Sequence, residues 1–118
     1  MRKITIFKIM AEIDKDTFCK TCEKYGFFRQ DLGEDIYYTL KRDAKHYICK
    51  RRSTGTICIT LGTQVTDDGE FTTDDGCYII TDVRNIEDME DFIELALKRY
   101  KRMLSEYRAN QMKQDFTE

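Results

Sequence analysis

Two cysteines three residues apart, Cys19 and Cys22 in "FCKTCEKYG", are the first arrangement in this chain with the spacing for chemistry. A C-x-x-C pair exchanges disulfides when its first thiol sits at a helix N-terminus, where the dipole lowers its pKa. Enzymes of that kind also set a cis-proline against the thiols, and this chain contains no proline. A structural zinc site needs four ligands in a closed set, usually as two such pairs. The other cysteines, Cys49, Cys58 and Cys77, are isolated in predicted strands, and His46 is the only imidazole. Thiols in strands behave as small hydrophobes. All five cysteines are therefore expected to be reduced, with no metal and no cofactor bound.

Other reactive constellations fail on their residue types. Only two serines occur, Ser53 and Ser105, and neither lies in an elbow motif with His46. Neither G-x-x-x-x-G-K-[ST] nor G-x-G-x-x-G is present, so a nucleotide fold of either kind is not indicated. "TDDGEFTTDDG" is acidic, but it misses the calcium-loop register that ends in a glutamate. Its two TDDG units, 66–69 and 73–76, read as turns bracketing a short strand near Phe71. No catalytic residue is assigned, and a non-enzymatic protein is expected.

The strongest local signal is "KRDAKHYICKRR", residues 41–52, with six cations, one histidine and one aspartate in a chain of net charge −2. The candidate binding residues are Tyr37, Lys41, Arg42, Lys45, His46, Lys50, Arg51 and Arg52. Strict alternation along a strand puts Lys50 on a face with His46 and Ile48, and Arg51 on a face with Tyr47 and Cys49. Tyr37 and Lys41 share a face in the same scheme, bringing an aromatic ring and a base together. Rings beside bases suit stacking on single-stranded nucleic acid. The acidic balance opposes that use, since nucleic-acid domains are usually basic. Guarding a sheet edge with lysine and arginine is the structural alternative.

Those residues must be positioned by a fold, and 118 residues suffice for one domain burying roughly two thirds of its unfolded surface. The apolar fraction is 41% and the charged fraction 36%, with no apolar run of membrane-spanning length. The apolar N-terminal stretch is interrupted by Lys8 and reads as a strand over 3–10 instead of a signal peptide. The odd cysteine number points to a reducing, cytoplasmic setting. Asp14 or Asp16 is placed to cap a helix that runs to Tyr25 and stops at Gly26, burying Phe18, Cys22 and Tyr25. Alternation predicts strands over 36–42, 45–51, 56–61 and 77–83, the first two joined by a tight turn at Asp43 and Ala44.

The last element is a helix capped by Asn85 and running to about Met112. Ile86, Met89, Ile93, Ala96, Tyr100, Met103 and Tyr107 form its apolar stripe, with Ile93 and Ala96 deep in the core. Glu87, Asp88, Glu90 and Asp91 crowd its start, while Lys98, Arg99, Lys101 and Arg102 follow, in the sense of the helix dipole. Glu94 and Lys98 have i, i+4 spacing for an ion pair.

The expected class is α+β. A four- to six-stranded antiparallel sheet has one face packed by a short N-terminal helix and a long C-terminal helix, in one domain over 1–118. This element order is similar to the TATA-binding-protein-like half repeat and, more loosely, to the helix-grip folds, which often hold a cavity beneath the long helix. The leading functional expectation is a cytoplasmic, non-enzymatic regulator that docks a protein partner, such as an inhibitor carried by a phage or mobile element. The alternatives are nucleic-acid binding through 41–52, and a ligand cavity between sheet and helix. Homodimerisation through the C-terminal helix is the expected mode of any self-association, and no membrane association is expected.

Overall fold

Among the described residues, Asp14 and Asn85 open two helices as their residue types predict. We describe residues 13–42, 44–62, 65 and 78–117 from a computed structural model. Helix α1 spans Lys15–Lys24, and Asp14 Oδ1 accepts a 2.7 Å hydrogen bond from the Thr17 amide. That bond holds the Asp14 carboxyl below the ordinary carboxylate value. Gly26, at φ 80°, ends the helix in a conformation that side-chain-bearing residues rarely adopt. Helix α2 spans Ile86–Thr117, with Asn85 Oδ1 accepting from the Asp88 amide at 2.8 Å. At 1.5 Å per residue its length is about 48 Å. It extends past the expected end at Met112.

Between the helices, five antiparallel strands lie in sequence order: β1 Phe28–Leu32, β2 Asp35–Thr39, β3 Tyr47–Arg51, β4 Ile57–Leu61 and β5 Tyr78–Ile80. The fold is therefore α+β, as the patterning predicts, but three details differ. Strand β1 is an addition, because "FRQDL" alternates poorly and carries little apolar content. It is joined to β2 by a two-residue turn at Gly33 and Glu34, with Leu32 opposite Asp35 and Gly33 at φ 65°. That turn needs a residue free to take positive φ.

The second difference is at the centre of the basic segment. Strand β2 ends at Thr39 and β3 starts at Tyr47, so the connection is longer than a two-residue turn; within it the Ala44 amide donates to the Lys41 carbonyl at 3.2 Å, and Asp43 lies outside the described residues. Thirdly, β5 is only three residues long. The expected strand over 3–10, the turns and short strand around Phe71, and Cys77 lie outside the described residues.

The core fills the space between one sheet face and both helices. Ile36, Tyr38, Cys49, Ile57 and Ile59 meet Phe18, Cys19 and Cys22 from α1 and Met89, Ile93 and Ala96 from α2. Tyr38, Phe18, Met89 and Ile93 are wholly inaccessible. The Tyr38 hydroxyl donates to Glu23 Oε2 at 2.9 Å, and burial raises its pKa. Ion-paired Lys24 and Glu90 tie the end of α1 to α2. The expected Glu94–Lys98 pair is not among the ion pairs of the described residues.

Strand β4 is buried on both faces, because Cys58 and Thr60 are as inaccessible as Ile57 and Ile59. The Thr60 hydroxyl has no hydrogen-bond partner among the described residues. A buried donor without a partner costs the desolvation of that group. Thr60→Val keeps the shape and removes the cost, so we expect a gain of about 1 kcal/mol in urea denaturation. Ile93→Asp buries an unpaired carboxylate against the sheet. We expect that variant to lose cooperative melting by circular dichroism, and a parent-like melt would place the α2 stripe elsewhere.

Candidate docking surface

Strict alternation along β3 is broken at its first residues, and the break builds a surface. Cys49 pairs with Tyr38 and Lys50 with Tyr37, but Thr39 pairs with Tyr47 instead of Ile48. The extra residue is a β-bulge, which re-aims the side chains beside it. Ile48 stays in the core cluster with Cys49. Tyr47 joins Tyr37 and Lys50 on the second face of the sheet, opposite to the side that alternation assigns it.

The three side chains form a compact platform. The rings of Tyr37 and Tyr47 meet edge to face, with centroids 5.3 Å apart and planes at 71°. Lys50 Nζ lies 5.0 Å from the Tyr37 ring centroid and 5.7 Å from that of Tyr47. The Lys50 side chain is only 16% exposed, and its ammonium is 3.9 Å from Asp35 Oδ2. Cation–π attraction strengthens as the cation loses water, so this lysine is held more firmly than a free surface lysine.

Beside the platform runs an open groove of about 210 Å³, lined by residues of β1, β2, β3 and the 40–46 loop, among them Gln30, Leu32, Tyr37, Lys45 and Tyr47. The loop is tethered to the strands by side chains that recognise backbone. Thr39 Oγ1 donates to the Lys41 carbonyl at 2.7 Å, and Gln30 Nε2 donates to the Ala44 carbonyl at 3.2 Å. Arg42 lies over the Phe28 ring, 5.3 Å from its centroid. Leu32, 71% exposed, stands at the groove's edge.

The eight candidate residues therefore separate. Tyr37, Lys45 and Lys50 come together at the platform and groove, and Lys41, Arg42 and His46 occupy the adjoining loop. Lys41 lies beyond the end of β2, so it does not share a strand face with Tyr37. Arg51 lies across the sheet from Lys50, where its Nε donates to the Ile13 carbonyl at 3.5 Å. Arg52 belongs to the turn at the other end of β3, where its amide donates to the Thr56 carbonyl. Sequence reasoning missed Gln30, Phe28 and the true side of Tyr47. The Gly33 turn was the signal for β1 and its residues, whereas nothing in "KHYICKR" marks the bulge.

The thiols form no comparable site. Cys19 and Cys22 lie in the middle of α1, clear of its positive end, and are buried. Hydrogen bonding with Cys49, with burial next, raises the Cys22 pKa, the reverse of an activated thiol. Arg29 Nη1 approaches Cys19 Sγ at 3.5 Å while its Nε binds Asp31. Among the described residues Cys19, Cys22, Cys49 and Cys58 are free thiols, and no three potential ligands converge on a metal position. No helix among those residues is long and apolar enough to cross a membrane.

No family model, curated protein or solved structure matches this chain. The similarity of element order to the two fold types above gains no counterpart among solved structures.

If Lys50 is held by both rings, Lys50→Gln should cost roughly 0.5–1 kcal/mol in urea denaturation. Arg52→Gln, in an exposed turn, should be neutral within error. Equal effects would show that Lys50 is an ordinary solvated lysine.

Proposed function

We propose that this chain is a non-enzymatic cytoplasmic binding protein that docks an acidic surface of a protein partner. The contact is made by the Tyr37–Tyr47–Lys50 platform and the groove beside it. The observation that carries the reading is the placement of Lys50 across both tyrosine rings. Tyrosine rings held rigid by their neighbours, as these two are by each other and by Lys50, are among the groups that dominate protein interfaces. The groove adds Gln30 and the Lys45 side of the loop as polar contacts, and exposed Leu32 as an apolar one.

The same observation weighs against nucleic acid. A base would have to stack on ring faces over which Lys50 already lies. Arg51 lies on the opposite sheet face, Arg52 belongs to the turn beyond β3, and Asp31 and Asp35 lie within or beside the platform, so a phosphate backbone would meet a mixed field. A ligand cavity beneath α2 is also disfavoured, because Met89, Ile93 and Ala96 pack directly against the sheet.

The test is nuclease-treated affinity capture from the native host, followed by binding kinetics with the partner that is identified. Tyr47→Ala with Lys50→Gln should weaken that complex at least about tenfold, as loss of an interface hot spot does. Lys45→Gln should chiefly slow association and flatten its salt dependence. Arg52→Gln should change neither. A micromolar or tighter complex with single-stranded DNA or RNA, lost on nuclease treatment and weakened by the same variants, would overturn the reading.

A further inference from the structure

The outward face of α2 carries a second pattern, independent of the platform. Asp88, Asp91, Leu95, Lys98 and Arg102 follow one another at spacings of three, four, three and four residues. That spacing puts them on one stripe of the helix, away from the Met89–Ile93–Ala96 side that meets the sheet. Two acids lie on one side of the leucine and two bases on the other. Leu95 itself is 48% exposed, one of four large hydrophobic side chains that are exposed among the described residues. With Leu61, Lys98, Arg99 and Arg102 it lines a groove of about 560 Å³, while Glu87, Glu90, Asp91 and Glu94, with Lys24 and Tyr25 of α1, line a mainly acidic one nearer the helix start.

The stripe is complementary to itself when reversed. Asp88 and Arg102 lie seven residues either side of Leu95, and Asp91 and Lys98 lie four residues before it and three after it. At 1.5 Å per residue Asp88 and Arg102 each stand about 10 Å from Leu95, while Asp91 stands about 6 Å and Lys98 about 4.5 Å from it, close enough for their flexible side chains to meet. A two-fold axis through Leu95 therefore sets each acid of one copy against a base of the other, twice over, with the two leucines in contact at the centre. Such pairing is isologous, so one patch serves both partners and the assembly closes at two. Asp91, Lys98 and Arg102 are in no ion pair among the described residues, so the pairing breaks none of those contacts.

We infer that the partner of this face is a second copy of the chain, with the two α2 helices packed antiparallel about Leu95. Exposed ion pairs are individually weak, so the dimer is expected to be reversible and sensitive to salt. It should weaken several-fold as ionic strength rises towards about 1 M, where screening acts over about 3 Å.

Charge reversal tests the geometry directly, using the full chain and analytical ultracentrifugation. Asp88→Lys with Asp91→Lys makes both halves of the stripe positive, and Lys98→Glu with Arg102→Glu makes both negative. Each variant alone should be monomeric at concentrations where the parent is dimeric. Mixed in equal amounts, the two should form a one-to-one heterodimer. Leu95→Ser provides a second measurement at an exposed position, with an expected tenfold or greater rise in dimer Kd and an unchanged melting temperature. A parent that stays monomeric at low salt and high concentration would overturn the inference. So would variants that remain dimeric alone, or a mixture of folded variants that does not associate.

Discussion

One inserted residue between β2 and β3 determines what each side of the sheet presents. A pleated strand sends alternate side chains to opposite faces, so a single change of register moves every side chain after it. The two-against-one pairing at Thr39 confines that change to the start of β3. Ile48 and Cys49 both reach the core, which needs their volume against Cys22 and Phe18. Tyr47 is released to the second face, where it meets Tyr37 and Lys50. A regular strand in this position would have to give up either the packing of Ile48 or the aromatic platform.

Much of the frame was legible in the residues because it rests on local rules. Asp14 and Asn85 have the short polar side chains that accept from helix amides, and both do so. The α2 stripe has helical period, and its centre at Ile93 and Ala96 is buried as that period demands. Strand β1 was not legible from alternation, since Arg29, Gln30 and Asp31 interrupt it and it is held chiefly by pairing with β2. The connection from Thr39 to Tyr47 is longer than alternation predicts, and besides the local bond from the Ala44 amide to the Lys41 carbonyl it is held by Thr39 and Gln30 reaching backbone carbonyls. Tertiary hydrogen bonds of that kind leave no periodic trace. The bulge left none either, as Tyr47, Ile48 and Cys49 fit a regular strand in composition.

The charges, too, are organised by the fold and not by the chain's order. The six cations of 41–52 are consecutive enough to suggest one basic patch, yet β3 distributes them over two sheet faces, a loop and a turn. The loss of a continuous basic strip turns the reading from phosphate backbone towards a protein surface with a few acidic side chains. Along α2 the reverse holds, since charges that are merely dipole-compatible in sequence fall on one outward stripe, acids at one end and bases at the other, once the buried side is known. Both surfaces rest on a core of aliphatic, aromatic and thiol side chains.

The account turns on the side to which Tyr47 points, and proton–proton nuclear Overhauser measurements in solution report that directly. It predicts contacts from the Tyr47 ring to the Tyr37 ring and to the Lys50 ε-methylene, with Ile48 methyls contacting core side chains. Contacts from the Tyr47 ring to Cys49 and to core side chains on the helix-covered face, with none to Tyr37, would show a regular strand. The platform would then not exist.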